Sequence, residues 1–175
     1  MQKVFSFLYN NHPLYKKCLS IRPINNSIDH EIITERVLTN GSRSFALDTD
    51  IERIAYLQKH PDAWYLDADV VVKKWPDFEM EKGFPYISYD RIQYDLWCIL
   101  GNGCQWFFDY LMDYYYKCNE DPEPLWIHSL INSKLCDRIK RVSDGYFEHL
   151  LLRSIDFSEK ELQDIDNMAT KRNLF

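Results

Sequence analysis

The sequence contains no pair of cysteines at C-x-x-C spacing and no cysteine–histidine cluster at zinc-ligand spacing. Its five cysteines, at 18, 98, 104, 118 and 136, are scattered and odd in number. That argues against a disulfide framework or a zinc ribbon and fits reduced thiols in a cytoplasmic protein. No apolar run is long enough to cross a bilayer, so no transmembrane segment is expected. The opening "MQKVFSFLYNNHP" is interrupted too soon to read as a signal peptide. A basic excess is missing too: the net charge is −6. Nucleic acid and anionic membrane both need a basic face, which argues against either as the main partner. With no repeats, low-complexity tract or linker, residues 1–175 are expected to form one domain with a substantial core.

What is abundant is aromatic: twelve Tyr, ten Phe and five Trp, 15% of the chain. Their first use is to fill a core, and their second is to offer stacking surfaces to sugars or bases.

The hydrophobic pattern alternates between strands and helices. "KVFSFLY" (3–9) reads as a strand followed by the turn "NNHP", residues 14–20 as a short helix, and "HEIIT" (30–34) as a strand. From Phe45 to His60, apolar positions 47, 51, 54, 55 and 57 have helical spacing, and Pro61 ends that helix. "AWYLD" is a strand that "VVV" resumes. "PYISYD" (85–90) and "LWCIL" (96–100) follow, the latter closed by the turn "GNG". Cys104–Lys117 carries an apolar stripe at 104, 107, 108, 111 and 115 and is expected to be a helix. "PEPLWIHSLINSK" suggests another helix, "YFEHLLL" (146–152) a last strand, and Ser158 with Glu161 a capping box that opens a terminal helix. Such alternation predicts an α/β fold with a largely parallel sheet.

Three acidic triplets occur: Asp48-Thr49-Asp50, Asp67-Ala68-Asp69 and Asp164-Ile165-Asp166. The last falls on the solvent-facing terminal helix. The middle one is different, because it directly follows an apolar strand, where an unpaired carboxylate is costly. Read as strand, Asp67 and Asp69 point the same way and Ala68 the other. Two such carboxylates repel unless a cation sits near them, and Mg²⁺ or Mn²⁺ commonly takes one or two carboxylates plus substrate phosphate oxygens. Open α/β sheets bind ligands beyond the carboxyl ends of their strands. The alternative is a polar turn with no ligand.

The block "DIERIAYLQKHPDAWYLDADVVVKKWPDF" (50–78) resembles the central block of GT-A glycosyltransferases with a DXD motif. The likeness is to the sugar-binding DXD family and to the catalytic domain of the large clostridial glucosylating toxins. Asp50, Arg53, Tyr65, Leu66, Asp67 and Asp69 fall on it in order and spacing. The resemblance implies a GT-A-like fold: a mixed, mostly parallel sheet flanked by helices, here in a minimal version. It implies a metal-dependent hexosyltransferase that takes a nucleotide-sugar donor, most simply a UDP-hexose, and retains anomeric configuration.

By the same resemblance, Asp69 would bind Mn²⁺ or Mg²⁺ directly and Asp67 through water or the donor. Arg53 would contact donor phosphate or sugar, Asp50 would accept sugar hydroxyls, and Tyr65 would line the donor site. The catalytic set is then Asp67, Asp69 and Arg53. Asp50 and Arg53 are three apart, hence on one helix face, and an arginine fork suits phosphate. Asp62, Ala63 and Trp64 stand where the family has two glycines, and no C-terminal Ser-Trp element is visible. His149, in a late strand, is the candidate third metal ligand, with Glu148 pointing the opposite way. The acceptor is open among glycan, lipid-linked glycan and protein. Two other readings of the block are a non-catalytic sugar-nucleotide- or protein-binding remnant of the fold, and a haloacid-dehalogenase-like phosphatase, although Val70-Val71 stands where the latter has Gly-Thr.

Overall fold

The computed structural model describes residues 3–8, 29–34, 45–90, 92–118, 127–143, 145–149 and 159–160. The helices expected at 14–20 and after Ser158 lie outside these residues, apart from a helical pair at 159–160.

The strands are β1 (Lys3–Phe7), β2 (Asp29–Ile33), β3 (Trp64–Leu66), β4 (Val70–Val72), β5 (Tyr86–Asp90), β6 (Gln93–Leu100), β7 (Lys140–Arg141) and β8 (Phe147–His149). Helices α1 (Phe45–Lys59), α2 (Gln105–Cys118) and the single turn α3 (Ile127–Leu130) complete the regular elements. After α3 the chain widens into a π turn over Ile131–Leu135 and tightens into a 3₁₀ turn over Cys136–Arg138.

Six strands form the main sheet in the order β2-β1-β3-β6-β5-β7. β1 pairs parallel with β2 and β3, and β5 with β7, while β6 runs antiparallel to both its neighbours. This is a mixed α/β fold with a mostly parallel sheet, as expected from the alternation of strand and helix patterns.

The period-two rule divides the sheet's side chains between two cores. Phe5 and Phe7 of β1, Tyr65 of β3 and Ile99 of β6 face one cluster with Ile51, Ile54 and Leu57 of α1 and Phe107, Phe108 and Leu111 of α2. Val4, Trp64, Leu66, Cys98 and Leu100 face the other, where Val70 and Phe147 of a small second sheet cover them. Being buried on both faces, the central strands read as continuous apolar runs. Pro61 ends α1 as expected, and its carbonyl accepts the Gly103 amide at 3.0 Å in the turn that closes β6. Asn102 and Gly103 have φ of 52° and 70° there, which suits this Asn-Gly pair. Asn132 pins the π turn to β6: its side chain accepts the Tyr94 amide at 2.8 Å and donates to the Tyr94 carbonyl at 2.9 Å.

One detail departs from the sequence reading. Asp67 and Asp69 do not lie on a continuous strand. β3 ends at Leu66, and a tight turn, with the Val70 amide donating to the Asp67 carbonyl at 3.1 Å, leads into β4 in a different sheet. Strand alternation therefore does not align the two carboxylates; the turn does.

Candidate metal and donor site

The site forms where β3 runs out. Buried Trp64, Tyr65 and Leu66 hold that strand in the sheet's centre, so the following turn emerges at a fixed point at the carboxyl ends of β1 and β3. The second side comes from far along the chain. β8 pairs antiparallel with β4, matching Val70 to His149, Val71 to Glu148 and Val72 to Phe147. This register brings His149 Nε2 to 3.3 Å from Asp69 Oδ1. Glu148 turns outward and pairs with Lys73 at 3.1 Å.

Asp67, Asp69 and His149 then present one ligand atom each, all within 4.8 Å of one another. Among the described residues this is the one group of three or more such side chains close enough to hold a cation. Asp69 is buried, and the other two are partly buried.

Arg53 lies behind this triad. Its Nη1 donates to the Leu96 carbonyl at 2.8 Å and lies 3.4 Å from Asp67 Oδ1, while Nη2 lies 3.4 Å from Asp50 Oδ1. The guanidinium sits over the Tyr65 ring, 4.6 Å from its centroid, and Tyr65 donates its hydroxyl hydrogen to Asp67 Oδ1. Nε is buried and has no hydrogen-bond partner among the described residues. One turn of α1 thus puts Asp50 and Arg53 on the same face, as the three-residue spacing predicts.

The electrostatics follow from this crowding. Burial raises the Asp67 carboxyl above its usual range; Arg53 opposes that shift and Asp69 adds to it. Burial pushes Asp50 up to about 6 against the pull of Arg53, with the charge of Asp67 adding to the rise. For His149, burial works against the imidazolium, but the hydrogen bond and charge of Asp69, then the charge of Asp67, outweigh it and raise the pKa. Arg53 is the fixed positive charge facing Asp50 and Asp67. Two carboxylates and an imidazole form a donor set that a hard or borderline divalent ion fits.

The site also contains residues not singled out from sequence. Asp95 acts electrostatically on Asp50, Arg53 and His149. It interrupts the otherwise apolar end of "QYDLWCIL" just as Asp67 interrupts "AWYLDADVVV", so the same cue could have found it. Trp97 was not findable in that way, because aromatic residues in strands usually belong to the core. Its carbonyl accepts the Asp67 amide at 2.8 Å, and its ring stacks on His149. No helix among the described residues is long and apolar enough to cross a membrane.

No protein-family model matches the sequence, and no curated protein does. Solved structures do match by backbone. One is a glycosyltransferase involved in the glycosylation of the major capsid of PBCV-1, with a TM-score of 0.54 at 11% identity, over 95% of this chain and 97% of that one. The glycosyltransferase GlyE of Streptococcus pneumoniae TIGR4 matches in its apo form with a TM-score of 0.50 at 12% identity, and in a second structure with 0.51 at 13%. These two alignments take in 82% of this chain but only 45% and 46% of GlyE, so the chain spans just under half of that enzyme. The chain has a fold shared with known glycosyltransferases, and in this chain a carboxylate–histidine cluster lies at the carboxyl ends of the central strands.

Proposed function

We propose that this chain is a divalent-cation-dependent glycosyltransferase domain, spanning residues 1–175, that transfers a hexose from a nucleotide-sugar donor, most simply a UDP-hexose, with retention of configuration. The observation that carries the proposal is the convergence of Asp67, Asp69 and His149 beside the Asp50–Arg53 pair. Such a cluster is what a diphosphate-bound cation needs.

Asp67, Asp69 and His149 would hold the cation, and the imidazole favours Mn²⁺ over Mg²⁺, which prefers an all-oxygen shell. When bound, the ion would act as a Lewis acid that offsets the charge of the departing diphosphate. The chain's own residues supply the rest. Asp50, partly exposed beside Arg53, is placed to accept sugar hydroxyls. Arg53, oriented by the Leu96 carbonyl, Asp67 and Asp50, would contact the donor phosphate or sugar. Tyr65 holds Asp67 from the core side. These roles rest on the likeness of the 50–78 block to DXD enzymes together with the geometry above. A glycan, a lipid-linked glycan or a protein fits as acceptor, and scattered thiols fit a cytoplasmic setting.

The test is UDP binding with and without Mn²⁺, followed by hydrolysis of UDP-hexoses. Affinity that rises sharply with Mn²⁺, with slow release of UDP, supports the reading. Binding without turnover points instead to a sugar-nucleotide-binding remnant of the fold. Equal affinity in EDTA and in Mn²⁺ overturns the metal site.

A further inference from the structure

β5 and β6 do not pair evenly. Ile87 is matched to Ile99, but the next residue, Ser88, is matched to Asp95, so Leu96, Trp97 and Cys98 are surplus on the β5 side of β6 and form a bulge, while Cys98 stays paired with Leu66 of β3. Buried Ser88 bridges the gap. Its hydroxyl donates to the Asp95 carbonyl at 2.5 Å and accepts the Cys98 amide at 3.0 Å. Bulges re-aim side chains and are common beside active sites. Here the surplus residues turn toward the metal cluster: the Leu96 carbonyl takes Arg53, and the Trp97 carbonyl takes the Asp67 amide. The Trp97 ring lies parallel to the His149 imidazole, with centroids 5.3 Å apart and planes 17° apart.

We infer that Trp97 is a positioning residue that sets the imidazole plane of His149 against Asp69, and so presents the third ligand of the cation site. An imidazole at the end of a short strand can turn about its side-chain bonds. Among the described residues, the Asp69 contact and the Trp97 face limit this turning. The carboxylate fixes one nitrogen in distance, and the indole fixes the plane. Because the Asp67 contact runs through the Trp97 main chain, every substitution of the Trp97 side chain preserves it. The ring also packs against the core of Val4, Leu66 and Phe147, so it is the comparison with and without His149 that isolates the stacking role.

The inference rests on the metal-dependent reading, and the experiment separates the two. MnCl₂ alone is titrated, by electron paramagnetic resonance of the free ion, into the parent protein, Trp97→Phe, Trp97→Leu, His149→Ala and the Trp97→Leu/His149→Ala double variant. Imidazole resonances are recorded by NMR on the metal-free proteins. Trp97→Leu is expected to weaken Mn²⁺ binding about tenfold, with Trp97→Phe close to the parent and no further loss when Trp97→Leu is added to His149→Ala. The His149 ring protons are expected upfield in the parent and at ordinary positions in Trp97→Leu. Parent-like Mn²⁺ affinity in Trp97→Leu, or a full loss that persists without His149, overturns the positioning role. If the parent binds no Mn²⁺, the metal reading fails. The imidazole resonances still judge Trp97, and an unchanged His149 spectrum in Trp97→Leu overturns the inference in either case. Should Trp97→Leu fail to fold, Trp97→Met takes its place with the same expected and overturning results, since it keeps bulk but offers the imidazole no ring face.

Discussion

His149 meets Asp69, 3.3 Å from nitrogen to oxygen, because Val70, the residue after Asp69, is matched to His149 across the β4–β8 ladder. A short strand near the end of the described chain thus completes a cluster begun in its first half. The two-stranded sheet also covers one core through Val70 and Phe147, so the contact is held by packing as well as by charge.

Asp69→Asn keeps the size of the side chain and removes its charge. Mn²⁺ affinity measured by calorimetry in the presence of UDP is expected to fall by about tenfold or more, with the fold intact, since the packing of Val70 and Phe147 remains. Parent-like Mn²⁺ affinity would remove Asp69 from the ligand set.

Arg53→Ala should cost stability as well as activity. It strips the counter-charge from Asp50 and Asp67 and the donor from the Leu96 carbonyl, a loss of about 3 kcal/mol. Arg53→Lys restores a charge but not a fork that reaches Asp50, Asp67 and Leu96 together, and an intermediate loss is expected. Urea unfolding at neutral pH in EDTA measures both. An Arg53→Ala protein as stable as the parent would show that this network holds nothing together.

Asp50 gives a pH signature. Its folded pKa, about 6, lies above the ordinary 3.8, because burial outweighs the pull of Arg53. The fold therefore binds this proton more tightly than the unfolded chain does. The stability it lends is complete below pH 3.8 and is lost as pH rises through about 6. Asp50→Asn removes that loss. The stability of the variant relative to the parent, both in EDTA, should climb across this window by about 3 kcal/mol at most. A difference that stays constant with pH would mean that Asp50 is not the group responsible.

Ser88→Ala leaves the buried Cys98 amide without its acceptor and the bulge without its bridge. A loss of about 1–3 kcal/mol is expected in urea unfolding. No measurable loss would show that the β5–β6 irregularity does not depend on the hydroxyl.

Much of the fold was legible because it rests on local physics. Helical spacing and Pro61 bounded α1 within a residue of the structure, and the apolar stripe of α2 is the stripe that packs. Strands β3, β5 and β6 announced themselves as apolar runs, because a sheet covered on both faces needs apolar side chains on both. The Asp50–Arg53 pair was legible too, since its geometry is set within one helical turn.

What sequence patterns could not fix was everything that depends on a return of the chain. Alternation placed Asp67 and Asp69 on one strand face, but a turn between two sheets is what brings them together, and turn geometry is set by the sheets it joins. His149 could be named, yet its distance to Asp69 comes from the β4–β8 register, which packing of Val70 and Phe147 selects. Trp97 read as part of an ordinary strand because a β-bulge exists only relative to its partner, and no local signal in β6 records that Ser88 of β5 will bridge it. Local sequence sets the elements and the chemistry available at their ends; long-range strand pairing selects which of those side chains meet.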